Sequence, residues 1–212
     1  MKIAKCECTN VFDKKYESVI QEAAAEIAAG NLIVYPTETV YGIGADIFNE
    51  VAVKNLYLAK HRPFDMALSV AVSDKKMMES IAVMDDNADK LVKAFLPGPL
   101  TIIIEKKPDV PDLVTSLSKK VGIRIPDHPV AMEIVKKTGP IVATSANLHS
   151  HPDATDINSA VKDLGSSVSM YIDSGVSKLK RPSTIVWIMN GEVEILRQGA
   201  ITIKQIEDVL KC

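Results

Sequence analysis

"LIVYPTETVYGIGADIFNEVAVKNLYLAKHRP", residues 32–63, passes from a short apolar run into a polar, glycine-containing loop and then into a stretch with helical spacing. "LIVYP" (32–36) is a β-rich strand run stopped by Pro36, and about 50–60 reads as a helix that leads to the Lys60-His61-Arg62 corner. Strand, long loop and helix in that order are the repeating unit of an α/β protein.

The pattern extends in both directions. Upstream, "YESVIQEAAAEIAA" (16–29) is a helix with Gly30 placed to end it. Downstream, strands are expected at 67–72, 100–105, 121–126, 140–145, 168–173, 183–189 and 192–196. Helices are expected near 74–80, 85–95, 129–137, 156–164 and 202–211, and "NG" at 190–191 marks a hairpin turn. The expectation is a single α/β domain over residues 1–212, a twisted open mixed sheet with flanking helices.

Composition narrows the class. The chain is 47% hydrophobic but only 5% aromatic, which suits a helix-covered sheet. No apolar run reaches the roughly 18 residues of a membrane span, and "MKIAKCECTN" lacks a signal-peptide core, so no membrane partner and a cytoplasmic location are expected. Cys6, Cys8 and Cys212 are odd in number and lie at the two ends, and they read as free thiols. A net charge of −2 argues against a uniformly basic nucleic-acid binder but leaves room for a local basic patch.

Of the 25 basic residues only four are arginine: Arg62, Arg124, Arg181 and Arg197, each close to a proline or glycine at the edge of an element. A guanidinium grips carboxylate or phosphate with a rigid fork, so scarce arginines at strand ends point to anion recognition; a surface cation ending an element is the alternative. Thr37, Thr39, Ser145 and Asn147 follow apolar strands, where ligands bind open α/β sheets, although such residues also cap helices and turns. The phosphate-loop, dinucleotide and hydrolase-elbow motifs are missing. His149, His151 and Asp153 have ligand-like types, but solvated loop histidines are the reading adopted, with no metal-ligating residue assigned.

Taken in order, "PTETVYGIGAD", "KHRP", "PGPLT", "RIPDHP", "TSAN", "PSTIV" and "ILRQGAI" make the chain, over about 20–205, resemble the YrdC-like family of threonylcarbamoyl-adenylate synthases. The resemblance implies a basic concave face and the condensation of L-threonine, bicarbonate and ATP to threonylcarbamoyl-AMP and pyrophosphate, with Mg²⁺ as the accompanying cation. Downstream transfer proteins would then modify an adenosine of tRNA. By the same resemblance Lys60, Arg62, Ser145 and Asn147 act on the ATP phosphates as catalytic and nucleotide-binding residues, and Arg197 is a further nucleotide contact. Thr39, Arg124, the backbone of Ala143, and Ser183 surround the threonine, Arg124 on its carboxylate. Lys60 and Arg62 are expected at an exposed corner.

Several positions depart from the family's pattern. Met66 stands where Asn is common, Ala71 where His is, His149-Ser150 where Ser-Gly is, Trp187 where Asp is and Gln198 where Pro is. The chain ends near the synthase domain, so the C-terminal domain of longer relatives is not expected. The competing function is a double-stranded RNA- or tRNA-binding factor without catalysis, which predicts lysines tracking a phosphate backbone and not convergent arginines and hydroxyls. A carbamoyl-transfer accessory module, as in hydrogenase-maturation proteins, is a third and weaker reading.

Overall fold

The computed structural model describes residues 1–6, 14–189 and 192–211. Its strands are β1 (Lys2–Lys5), β2 (Ile33–Tyr35), β3 (Gly42–Gly44), β4 (Ser69–Ala71), β5 (Leu100–Glu105), β6 (Lys120–Arg124), β7 (Ile141–Val142), β8 (Thr144–Ser145), β9 (Met170–Asp173), β10 (Thr184–Met189) and β11 (Glu192–Arg197). The helices are α1 (Lys14–Ala28), α2 (Glu50–Ala59), α3 (Lys75–Ile81), α4 (Asp86–Phe95), α5 (Asp112–Thr115), α6 (Pro129–Thr138), α7 (Ile157–Leu164) and α8 (Ile203–Leu210).

The mixed α/β class stands, but the strands divide between two sheets where one was expected. One has the order β1-β9-β2-β3-β8 and the other β11-β10-β5-β6-β4-β7, each with parallel and antiparallel pairs. The run "PIVATS", read as one strand, breaks at Ala143: Ile141 pairs with β4 of the second sheet, and Thr144 and Ser145 pair with β3 of the first. Strand β3, inside what reads as a loop, was hidden because Gly42 and Gly44 carry no β-favouring side chain.

Helices α1 and α6 pack Ile20, Ala23, Ile27, Ile134 and Val135 against Ile33, Tyr35 and Ile172, forming one apolar cluster. A larger cluster joins α2, α4, α7 and α8 to the other strands. Helix starts are fixed by side-chain caps, Asn49 on Ala52 N, Asp74 on Met77 N, Asp85 on Ala88 N and Asp156 on Ser159 N. Gly30 ends the first long helix with φ +80°, as its position predicts.

No helix among the described residues is long and apolar enough to cross a membrane. Cys6 is buried, while Cys8, Cys212 and the 190–191 turn lie outside the described residues; β10 and β11 on either side of that turn pair antiparallel.

Candidate active site

Strand pairing puts alternate residues of the second sheet on one surface. Trp187, Ile103, Gly122 and Ser69 form one row across β10, β5, β6 and β4. Two residues along, Arg197 pairs with Ile185, Ile185 with Thr101, and Arg124 with Ala71. This surface is the floor of an open cleft of about 420 Å³, whose lining also takes in residues of the Thr37–Gly42 stretch and Pro182, Ser183 and Leu196. At Gly122 a Cβ would come within 3.2 Å of Ser69 Oγ and 3.4 Å of Thr101 Cγ2, so the glycine keeps the floor open.

Seven of the nine residues singled out from the sequence line this cleft: Thr39, Arg62, Arg124, Ala143, Ser145, Ser183 and Arg197. Their arrangement is tied together by hydrogen bonds. Arg124 donates from Nη1 to Thr39 Oγ1 (2.8 Å) and from Nε to the Gly98 carbonyl (3.1 Å). Arg197 donates from Nε and Nη2 to the Ser183 carbonyl (3.1 and 2.9 Å), and from Nη2 to Ser183 Oγ (3.2 Å). The hydroxyls of Ser183 and Thr101 are hydrogen-bonded at 2.8 Å, as are those of Thr37 and Thr39 at 2.8 Å, where Thr37 donates its own proton to the Val40 carbonyl at 2.6 Å. Arg62 donates to the carbonyls of Met66 (3.1 Å) and Ala67 (2.8 Å), which folds it over the cleft rim. The Ala143 amide donates to the Ser69 carbonyl at 2.7 Å.

Lys60 and Asn147 stand behind the wall. Lys60 is 2% exposed, which corrects the expectation of an exposed corner: the helix end is solvated at His61 and Arg62, while the Lys60 side chain turns inward. Its ammonium donates to the backbone carbonyls of Ser145 and Asn147, the second at 2.5 Å. Burial, reinforced by the nearby Arg62 charge, lowers its pKa to about 8, with Asp153 and Asp163 opposing. Asn147 donates from Nδ2 to the Leu148 (3.0 Å) and His151 (2.7 Å) carbonyls. Both side chains thus shape the loop that presents Ser145.

Arg62, Arg124 and Arg197 share the lining with Lys120 and one carboxylate, Asp153, so the cleft is basic. Burial lowers the pKa of Arg62 and of Arg197, although Asp153 works against it at Arg197; both remain far above neutrality, as guanidinium groups do. The fourth arginine, Arg181, is exposed outside this lining. His151 pairs with Asp163 at 3.1 Å, and no group of three or more His, Cys, Asp or Glu side chains among the described residues is placed to hold a metal ion.

Sequence reasoning missed Glu38, Lys120 and Gly122, and noticed Asp153 only as a metal-ligand type beside His149 and His151, not as part of the cleft. Glu38 is 6% exposed and lies 2.7 Å from Arg124 Nη2, an ion pair in which neither partner atom completes an aligned hydrogen bond among the described residues. Lys120, Gly122 and Arg124 alternate along one strand, a period-two signal that could have placed all three on one face. Among the departures, Ala71 is buried in the α1/α6 cluster, Met66 serves Arg62 through its carbonyl, His149 donates its amide to the Lys60 carbonyl at 2.7 Å, Gln198 is exposed, and Trp187 lines the cleft.

Residues 25–199 match the Sua5/YciO/YrdC family, described as telomere recombination. A Methanocaldococcus jannaschii protein provisionally named threonylcarbamoyl-AMP synthase is 37% identical over 194 residues, covering 92% of each chain. The threonylcarbamoyl-AMP synthase of Bacillus subtilis is 38% identical over 194 residues, covering 90% of this chain and 56% of that protein. The structure of Pyrococcus abyssi Sua5 complexed with L-threonine superposes with a TM-score of 0.93 at 32% identity, over 99% of this chain and 61% of that one.

Proposed function

Since the chain belongs to the Sua5/YciO/YrdC family, we propose that its cleft joins L-threonine, bicarbonate and ATP into threonylcarbamoyl-AMP and pyrophosphate, making it a nucleotidyltransferase that supplies tRNA modification. The observation that carries this reading is the convergence of Arg62, Arg124 and Arg197 with the hydroxyls of Thr39, Ser145 and Ser183 on one cleft. A pure RNA binder needs phosphate-tracking lysines spread over a surface, whereas this site is compact and built for small anions.

In this reading Arg124 and Thr39, already bonded to one another, receive the threonine carboxylate, with Ser183 and the Ala143 backbone completing that end. The threonine amine and bicarbonate give a carbamate with loss of water. A carbamate oxygen then attacks the α-phosphorus as the bond to the pyrophosphate oxygen breaks. The nucleophile is already anionic, so the protein's task is alignment and charge neutralisation, and no strong base is required. Arg62, Ser145 and Arg197 carry that task from the cleft wall, and Lys60 and Asn147 hold the Ser145 loop from behind.

The donor set suits Mg²⁺ that arrives on the nucleotide, since Asp153 is the carboxylate on the cleft lining. Bound there, Mg²⁺ would neutralise charge on the departing pyrophosphate. The reading puts the work in the cytoplasm, where ATP and tRNA would be met, and leaves transfer to tRNA to other proteins. The test is incubation of the purified protein with ATP, threonine and bicarbonate: pyrophosphate release that disappears when threonine is omitted is expected, and release independent of threonine would overturn the reading.

A further inference from the structure

The two ends of the cleft differ in chemistry. Arginines and hydroxyls occupy one; at the other Trp187 and Ile103 pair on the floor, with Lys120 beside them on the lining. Trp187 is the only tryptophan in the chain, and it stands where the family pattern commonly has an aspartate. Its strand partner on the floor is Ile103, beyond which Gly122 contributes no side chain, so a flat apolar strip runs out from the indole. Lys120 reaches across β5 to place its Nζ 5.3 Å from the indole centroid, and that ammonium also donates to the Ile188 carbonyl at 2.7 Å. A cation with a fixed anchor therefore sits over one face of the indole, and a stacking ligand uses the other face.

We propose that Trp187 is a binding residue for the base of the nucleotide and selects a purine over a pyrimidine, with Lys120 as its positioning residue. The proposal rests on the synthase reading for the identity of the nucleotide. Residues on one strand face repeat at about 6.6–6.8 Å, so the Trp187 row lies about one ribose length from the row carrying Arg124 and Arg197. Phosphate at Arg197 and base at the indole are then the two ends of a single extended nucleotide, with Arg124 left to the threonine carboxylate. The alternative occupants fit less well: the Lys120 ammonium that a phosphate would seek is already tied to the Ile188 carbonyl and the indole, and the threonine methyl is too small to cover an indole. A bicyclic purine overlaps the indole over more area than a pyrimidine, and stacking is governed by that overlap.

Because the chain has one tryptophan, its emission reports on this end of the cleft alone. Adenosine and ATP should each change the emission saturably, whereas inorganic tripolyphosphate and threonine should not. Trp187→Ala should raise the apparent KM for ATP about tenfold with the threonine KM unchanged, and should narrow the preference for ATP over UTP by a similar factor. Trp187→Phe should keep the ATP KM within about threefold of wild type, since a smaller ring still stacks. Thermal unfolding of both variants checks that the fold is retained, and if Trp187→Ala does not fold, the emission titrations and Trp187→Phe decide the matter. An emission change produced equally by tripolyphosphate, or none at ATP concentrations that saturate turnover, would overturn the proposal. Adenosine binding seen by emission without threonine-dependent pyrophosphate release would instead sink the synthase reading and leave the base site standing.

Discussion

Glu38 lies 2.7 Å from the Arg124 guanidinium, and of the two only Arg124 lines the cleft. The carboxylate thus backs the arginine from the protein side, while the guanidinium borders the cleft. Glu38→Gln leaves a largely buried guanidinium without its counter-charge, and a stability loss of about 3 kcal/mol is expected. Under the proposed reading the threonine carboxylate supplies the missing charge, so saturating threonine should raise the variant's melting temperature more than that of wild type. Equal shifts in the two proteins would separate Arg124 from threonine.

Arg124→Lys keeps one positive charge and loses the fork that bonds Thr39 and the Gly98 carbonyl together. The threonine KM should rise about tenfold with the ATP KM nearly constant, the cost of a charge-assisted contact made imperfectly. Titrating threonine at saturating ATP measures it, and wild-type constants would remove Arg124 from the threonine site.

Lys60 and Arg62 are two residues apart in sequence and should fail differently. Lys60→Met strands the carbonyls of Ser145 and Asn147, and a loss of about 2–4 kcal/mol is expected, read as a fall in melting temperature. Arg62→Ala should leave that temperature almost unchanged while cutting pyrophosphate release ten- to a hundredfold. Equal melting losses in both variants would contradict this division between a wall and its support.

Burial of Lys60 also makes stability depend on pH in a defined direction. Its folded-state pKa of about 8 lies below the ordinary value of 10.5, so between those values the unfolded chain binds more protons than the folded one. The Lys60 contribution to stability therefore rises across that window and is constant below it. Denaturant midpoints of wild type and Lys60→Met at pH 7 and pH 10 should show the wild-type advantage growing. A shrinking advantage would mean that the ammonium is favoured by its two carbonyls over its neutral form.

Gly122→Ala tests the floor. The new methyl meets Ser69 and Thr101 at distances that small side-chain shifts can absorb, so the melting temperature should stay within a few degrees. The space it takes belongs to the cleft, and kcat/KM should fall about tenfold. Unaltered kinetics would show that ligands ride above the floor.

The alternation of strand and helix was legible because each element carries its own period and its own stops, as "LIVYP" and the Gly30 boundary show. The division into two sheets was not: Ile141, Val142, Thr144 and Ser145 read as one β-rich run, and which neighbour each half pairs with is set by distant strands. In the site, arginines betrayed themselves by scarcity. Glu38 did not, because an acid between two threonines in a loop looks solvated until its burial against Arg124 is seen. Lys60 looked solvated for the same reason, since the sequence shows where a helix ends but not which way its last side chain turns.

The single pivot at Ala143 leaves the chain no slack between the two sheets. Elsewhere natural variation can lengthen a connection and let the surplus bulge into solvent, but an extra residue here would reverse the facing of everything on one side of it. Either Val142 would leave the core or Ser145 would leave the cleft. Length at 141–145 is therefore under a stricter constraint than residue identity: descendants of this chain can exchange side chains along the segment far more readily than they can gain or lose a position within it.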